Sequence, residues 1–209
     1  MENVFIATDD ERIVQAVSEF GGQSVLTSSH HVSGTDRCAE AARILDKQYN
    51  FDIVVNVQGD EPFLQQEQLE LLMGCFSEKD TDIATLITPI KAYEILNDSN
   101  KVKAVKAVNG NALYFSRHPI PFQRDVEQTN WLDHHNYYLH LGMYAYRKEA
   151  LQQITQLQPT ALELTEKLEQ LRWLENGYKI KTALTSHPNF GVDTPSDLEA
   201  LLQNKPFNS

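Results

Sequence analysis

Two short stretches carry the acidic residues best placed to do chemistry. Asp60 lies in Gln58-Gly59-Asp60-Glu61-Pro62, directly after the apolar run Ile53-Val54-Val55-Asn56-Val57, and Asp193 lies far downstream in Gly191-Val192-Asp193-Thr194-Pro195. An apolar, β-branched run that stops at a Gly/Asp/Pro cluster reads as a buried strand entering a loop, and ligands bind beyond the C-terminal edge of an α/β sheet. Thr194 reads as a helix N-cap and Pro195 as the first helical residue, so Asp193 also stands on a loop at a helix mouth. Two carboxylates on two such loops suit a hard divalent cation such as Mg²⁺. The plainer alternative is that each acid merely shapes its turn, since Gly-Asp after a strand is ordinary turn chemistry.

A second candidate surface comes from Leu139-His140-Leu141-Gly142-Met143-Tyr144-Ala145-Tyr146. The alternation puts 139, 141, 143 and 145 on one face of a strand and His140, Gly142, Tyr144 and Tyr146 on the other. His140 and Tyr144 are thus held on one surface. A satisfied sheet histidine beside a packing tyrosine is the competing reading. Ser33-Gly34-Thr35 is a third candidate, with an ordinary helix start capped by Thr35 as its bland counterpart.

The elements that must position these residues alternate between strand and helix patterns, which marks an α/β layered domain. Residues 4–7 read as a buried strand. Thr8 with Glu11 forms a capping-box pattern opening a helix whose Ile13, Val17 and Phe20 share one face. A strand at 24–27, a polar loop at 28–35 and a helix at 36–45 follow, then the Asp60 strand. Leu69, Leu72, Met73 and Phe76 mark another helix, and 82–87 reads as a strand. Residues 101–108 and 112–115 read as two strands joined by a hairpin, because Asn109-Gly110 supplies the positive φ of a tight turn. An antiparallel insertion is implied over about 88–150. Residues 123–136 form a long loop. Leu164, Leu168, Leu171 and Trp173 mark one helix carrying Glu169 and Gln170, a strand spans 178–184, and a last helix runs from Pro195 to about Gln203.

A chain of 209 residues with 41% hydrophobic content can bury a sizeable core, and one continuous domain over 1–209 is the simplest account. Its 18 basic against 29 acidic residues leave a net charge of −11, which argues against nucleic acid or an anionic membrane as partner. An anionic ligand must therefore be held by local basic residues or by metal. The 2 cysteines, Cys38 and Cys75, have no metal-ligand spacing and suggest no disulfide framework, so a reducing cytoplasm is expected. No apolar run is long enough to span a bilayer, and the N-terminus lacks the pattern of a signal peptide.

The combination is more specific than its parts. Ala7-Thr8-Asp9, Ser33-Gly34-Thr35-Asp36-Arg37, Asn56-Val57-Gln58-Gly59-Asp60-Glu61-Pro62, Ala112-Leu113-Tyr114-Phe115-Ser116-Arg117, His140-Leu141-Gly142-Met143-Tyr144, Glu166-Lys167-Leu168-Glu169-Gln170-Leu171-Arg172 and Gly191-Val192-Asp193-Thr194-Pro195 occur in this order. In that order they resemble the 3-deoxy-manno-octulosonate (Kdo) cytidylyltransferases across essentially the whole chain. The resemblance implies a Rossmann-like nucleotidyltransferase fold, a three-layer α/β/α mixed sheet with an antiparallel insertion, and a homodimer built partly through that insertion. It implies the reaction of CTP with Kdo to give CMP-Kdo and pyrophosphate, serving lipopolysaccharide assembly. Asp60 and Asp193 would be the catalytic, Mg²⁺-holding pair. Gln58, His140, Tyr144, Glu169 and Gln170 would bind the sugar, with Arg117 a further basic contact on that side. Arg37, Ser33 and Gly34 would line the nucleotide.

Two departures from the family pattern set further expectations. Leu139 stands where members often carry a basic residue, so one contact to the acidic sugar is expected to be missing or supplied from elsewhere. The chain also opens at Met1 on what matches the family's second strand, so the first strand and the basic loop that grips the triphosphate are expected to be absent. Independent activity is then in question. The alternatives are a nucleotidyltransferase for another sugar acid, and an inactive fragment serving as a sugar-binding or dimerisation module.

Overall fold

The computed structural model describes residues 3–61, 64–187, 192 and 199, so Asp193 and the start of the helix expected at Pro195 lie outside the described residues. In chain order the elements are β1 (Ile6–Thr8), α1 (Glu11–Glu19), β2 (Ser24–Leu26), α2 (Gly34–Leu45), β3 (Ile53–Asn56), α3 (Gln66–Gly74), β4 (Ile83–Pro89) and α4 (Tyr93–Asn97). There follow β5 (Lys103–Lys106), β6 (Ala112–Ser116), α5 (Trp131–His134), β7 (Tyr138–Arg147), α6 (Lys148–Ile154), α7 (Ala161–Glu166), α8 (Glu169–Glu175) and β8 (Ile180–Leu184). Among the described residues the strands make two sheets: β1 with β2, and a larger mixed sheet in the order β6-β5-β7-β4-β8, with β3 also pairing with β7. The chain divides into two compact units, Met1–Asn56 with Ala145–Gln158, and Val57–Tyr144 with Pro159–Ser209.

In the first unit β1 and β2 run parallel, Ile6 opposite Ser24. Helix α1 is capped by Asp10, whose carboxylate accepts the Arg12 N–H at 2.8 Å. The cap expected at Thr8 is displaced because that residue closes β1, where its hydroxyl accepts the Asp10 N–H. Of the expected apolar face only Val17 is buried, while Ile13 and Phe20 stay exposed. Helix α2 begins earlier than expected: Ser33 is its N-cap, accepting the Asp36 N–H at 3.1 Å, and Thr35 sits buried inside the first turn. The small side chains Ala39, Ala41 and Ala42 let neighbours approach α2 closely, and Gln152 of α6 donates to the Ala39 carbonyl at 2.9 Å.

The second unit is built around β4, whose Ile83, Ala84, Thr85, Leu86 and Ile87 are all fully buried. A strand covered on both faces needs an apolar run rather than an alternation. It runs parallel to β8, from Ile83 opposite Ile180 to Ile87 opposite Leu184. The expected hairpin is present: β5 and β6 are antiparallel, and Gly110 turns the chain with φ of 83°. Phe115 of β6 and Trp173 of α8 are almost wholly enclosed, each contributing roughly 1.5–3 kcal/mol by burial.

Two segments of this unit differ from expectation. Residues 123–136 are packed rather than a bare loop. They contain a 3-10 turn and α5, and Trp131 stacks on Tyr137 within a cluster with Ile90 and Leu96. Gln123 fastens the segment by donating to the Trp131 carbonyl at 2.7 Å and the Tyr137 hydroxyl at 3.0 Å. The single helix expected through Leu164 and Trp173 is two helices, because Lys167 adopts the left-handed conformation (φ 54°) that terminates α7. Leu164 is consequently left exposed while Leu171 and Trp173 are buried.

Candidate functional site

The alternation of β7 presents His140, Gly142 and Tyr144 on one side of the strand. The His140 ring makes edge contacts with Phe115 (4.9 Å between centroids) and lies 5.3 Å from Tyr144. Tyr144 in turn meets Trp173 edge-on at 5.1 Å, which brings α8 against this wall. Above Gly142 the space is open, since an added Cβ would meet nothing within 4 Å. The back of the His140 ring is held by Thr85, whose hydroxyl lies 3.1 Å from Nε2. Burial pushes the His140 pKa down to about 3, so the imidazole is neutral at physiological pH. A neutral ring beside a tyrosine and an open floor is suited to binding uncharged hydroxyls.

Helix α8 carries the next two expected site residues. Gln170 is buried. Glu169 is oriented by Arg172, which pairs with it at 2.8 Å and with Glu163 of α7 at 3.3 Å. Upstream, the Glu166 carboxylate accepts from the Ser116 hydroxyl at 2.6 Å and from the Arg117 N–H at 2.9 Å.

Arg117, expected on the sugar side, grips backbone with its guanidinium. Nε donates to the Glu166 carbonyl at 2.7 Å, Nη1 to Ser99 at 3.0 Å and Nη2 to Lys167 at 3.3 Å. These bonds satisfy carbonyls at the end of α7 and hold the turn that launches α8. Nearby, Lys103 is fully buried on β5, with Nζ donating to the carbonyls of Asp98 and Lys101, and burial lowers its pKa.

Asp60 occupies the exposed turn after β3, where the Glu61 N–H reaches the Gln58 carbonyl at 3.2 Å. The Val192 N–H donates to the Asp60 carbonyl at 2.8 Å, tying the residue before Asp193 to this turn. Gln58 is half-buried and Gly59 exposed. An exposed carboxylate on a turn is the hard oxygen donor that Mg²⁺ takes, with room for the waters the ion retains, so Asp60 fits a metal role. Among the described residues no group of three or more metal-ligating side chains converges.

The remaining expected residues belong to the first unit, at the start of α2. Ser33 caps the helix, Gly34 is exposed at its first position, and Arg37 follows in the next turn. Arg37 Nη1 donates to the Thr27 hydroxyl at 2.7 Å and pairs with Asp9 at 3.1 Å, joining the ends of β1 and β2. The loop before the helix is fastened by Glu40, which accepts the Ser28 N–H at 2.8 Å and pairs with His31. These bonds, the Ser28 N–H first and His31 next, hold its carboxyl below the usual range. A helix start with an exposed glycine beside an arginine is a surface able to take a phosphate.

Sequence reasoning passed over Thr85. The signal was a hydroxyl residue inside an otherwise apolar strand, which a buried position tolerates only when bonded. Glu166 and Asp9 stood inside the quoted motifs without a role, and each proves to be the partner of an arginine.

A family model described as cytidylyltransferase matches residues 1–180. The chain is 52% identical over 211 aligned positions to a 3-deoxy-manno-octulosonate cytidylyltransferase of Phocaeicola vulgatus, covering 98% of this chain and 83% of that one. It is 51% identical to a protein of the same name from Bacteroides thetaiotaomicron, covering 98% and 84%. Among solved structures it superposes on a CMP:2-keto-3-deoxy-manno-octonic acid synthetase complexed with CTP with a TM-score of 0.86 at 38% identity, covering 98% of this chain and 82% of that one. The fold is accordingly the Rossmann-like nucleotidyltransferase fold, and the chain belongs to the 3-deoxy-manno-octulosonate cytidylyltransferase family of nucleotidyltransferases.

Proposed function

We propose that this chain transfers a cytidylyl group from CTP to Kdo, giving CMP-Kdo and pyrophosphate for lipopolysaccharide assembly. The observation that carries the reading is the neutral His140 wall beside Tyr144 and α8, in a chain that superposes closely on a synthetase complexed with CTP. The anomeric hydroxyl of the sugar attacks the α-phosphorus in line and pyrophosphate leaves. Such a transition state requires positioning and charge neutralisation more than covalent participation. His140, Tyr144, Gln58, Glu169 and Gln170 bind and orient the sugar. Ser33, Gly34 and Arg37 line the nucleotide, the arginine being able to share its fork between Asp9 and a phosphate. Arg117 holds the turn before α8 through its bonds to the Glu166 and Lys167 carbonyls.

Asp60 and Asp193 are the residues that would hold Mg²⁺. When bound, the ion would neutralise phosphate and carboxylate charge in a chain whose net charge is −11. The tie from Val192 to Asp60 supports this pairing. For the domain organisation we keep one nucleotidyltransferase domain with residues 88–150 as an insertion. A homodimer through that insertion is supported by its exposed Val108, Leu113 and Phe122. A cytoplasmic location fits the free cysteines Cys38 and Cys75. Among the described residues no helix is long and apolar enough to cross a membrane.

The test is pyrophosphate release from CTP with Kdo and Mg²⁺, run beside a panel of other sugar acids. Turnover with Kdo above the rest of the panel is expected. Turnover confined to a different acid moves the substrate, and calorimetric binding of Kdo without binding of CTP identifies a sugar-binding module instead.

A further inference from the structure

We propose that Thr85 fixes His140 as its Nε2–H tautomer, so that Nδ1 offers a bare lone pair that selects a ligand hydroxyl and rejects an anionic oxygen. The ligand half of this inference rests on the sugar-site reading above. Thr85 Oγ1 lies 2.8 Å from the Met143 carbonyl and 3.1 Å from the Leu141 carbonyl, as well as 3.1 Å from His140 Nε2. Carbonyl oxygens only accept, and a hydroxyl has a single proton to donate. The Met143 carbonyl is the nearest of the three partners at 2.8 Å, and with the proton directed there the ring nitrogen is the donor to Oγ1. The opposite tautomer would take the Thr85 proton for Nε2 and forfeit the 2.8 Å bond to the Met143 carbonyl.

A neutral imidazole carries one proton, so with Nε2 protonated Nδ1 is bare. Burial keeps a second proton off the ring. Among the described residues Nδ1 has no hydrogen-bond partner. The ring is fixed in place by Phe115 and Tyr144, and it shares its side of β7 with the open space over Gly142. A lone pair there accepts from an O–H group. A carboxylate or phosphate oxygen would instead set lone pair against lone pair, with no proton or positive charge between them. Thr85, which does not touch the ligand, is therefore a positioning residue that sets which chemical group His140 can read.

Long-range ¹⁵N correlation spectra of the whole protein test the tautomer directly. A protonated Nε2 and a bare Nδ1, unchanged from neutral to mildly acidic pH, are expected. Thr85→Val should lose the fixed tautomer and raise KM for the sugar about tenfold, the effect of one hydrogen bond, with KM for CTP unchanged. Thr85→Ser, which keeps the oxygen, should restore both. An Nδ1–H ring in the wild-type protein, or a Thr85→Val variant that keeps both tautomer and KM, overturns the proposal while leaving the sugar site standing. A correct tautomer in a wild-type protein that binds no sugar by calorimetry overturns the ligand half together with the sugar-site reading.

Discussion

Arg37 and Arg117 both stand near strand ends, and the two regions hold them in opposite ways. Arg37, in the first unit, meets a side-chain hydroxyl and a half-exposed carboxylate, Thr27 and Asp9. Arg117, in the second, is taken up by backbone carbonyls of Ser99, Glu166 and Lys167. A carboxylate partner can turn aside, or share the fork, when a phosphate arrives. Carbonyls at a helix end cannot, since releasing them leaves acceptors unsatisfied and frees the turn they hold. The same residue type thus keeps a displaceable partner in one region and a fixed set of backbone acceptors in the other.

The comparison breaks most easily at Arg117. Arg117→Ala should lower stability by about 2–4 kcal/mol in urea unfolding, as bonds from a charged donor to carbonyls are lost. Arg117→Lys should rescue little of it, because an ammonium cannot reproduce the fork. An alanine variant of wild-type stability whose sugar KM alone rises would show the guanidinium to be a ligand contact after all.

His140 gives the next effect, and its sign follows from its depressed pKa. Between about 6.5 and about 3 the unfolded chain binds a proton that the folded ring refuses, so stability is intact above that window and falls as pH drops through it. The limiting slope from one such group is about 1.4 kcal/mol per pH unit. Denaturation midpoints of the wild type and His140→Gln measured across the window should converge toward low pH. Parallel curves would mean that His140 titrates normally and that the wall is wetter than described.

Arg37→Ala sharpens the contrast from the other side. Its pair with Asp9 is partly exposed, so the unfolding midpoint should hardly move, while CTP affinity by calorimetry should fall about tenfold, as for one lost charge-assisted bond. A large stability loss with CTP affinity intact would make Arg37 scaffolding too. Smallest in stability is Asp60→Asn, on an exposed turn: the midpoint should stay put while Mg²⁺-dependent turnover collapses.

Much of the second unit was legible because its signals are local. The apolar run of β4, the Asn109-Gly110 hairpin and the alternation that seats His140 and Tyr144 on one face all fold as their neighbours in sequence dictate. The break between α7 and α8 was not legible. Leu164, Leu168 and Leu171 keep a helical spacing, and nothing beside Lys167 announces a left-handed residue. The turn is held by Arg117, which comes from the far end of β6. Residues 123–136 were likewise misjudged, since Trp131 finds Ile90, Leu96 and Tyr137 only through folding.

Residue order by itself determined the α/β class, the family, and which side chains share a strand face, because side-chain periodicity and turn chemistry are properties of adjacent residues. Only the tertiary structure decided which partners each arginine finds and what surrounds the His140 ring. Those outcomes depend on which donors and acceptors distant segments bring within about 3 Å of one another, and a buried polar group takes its role from that company.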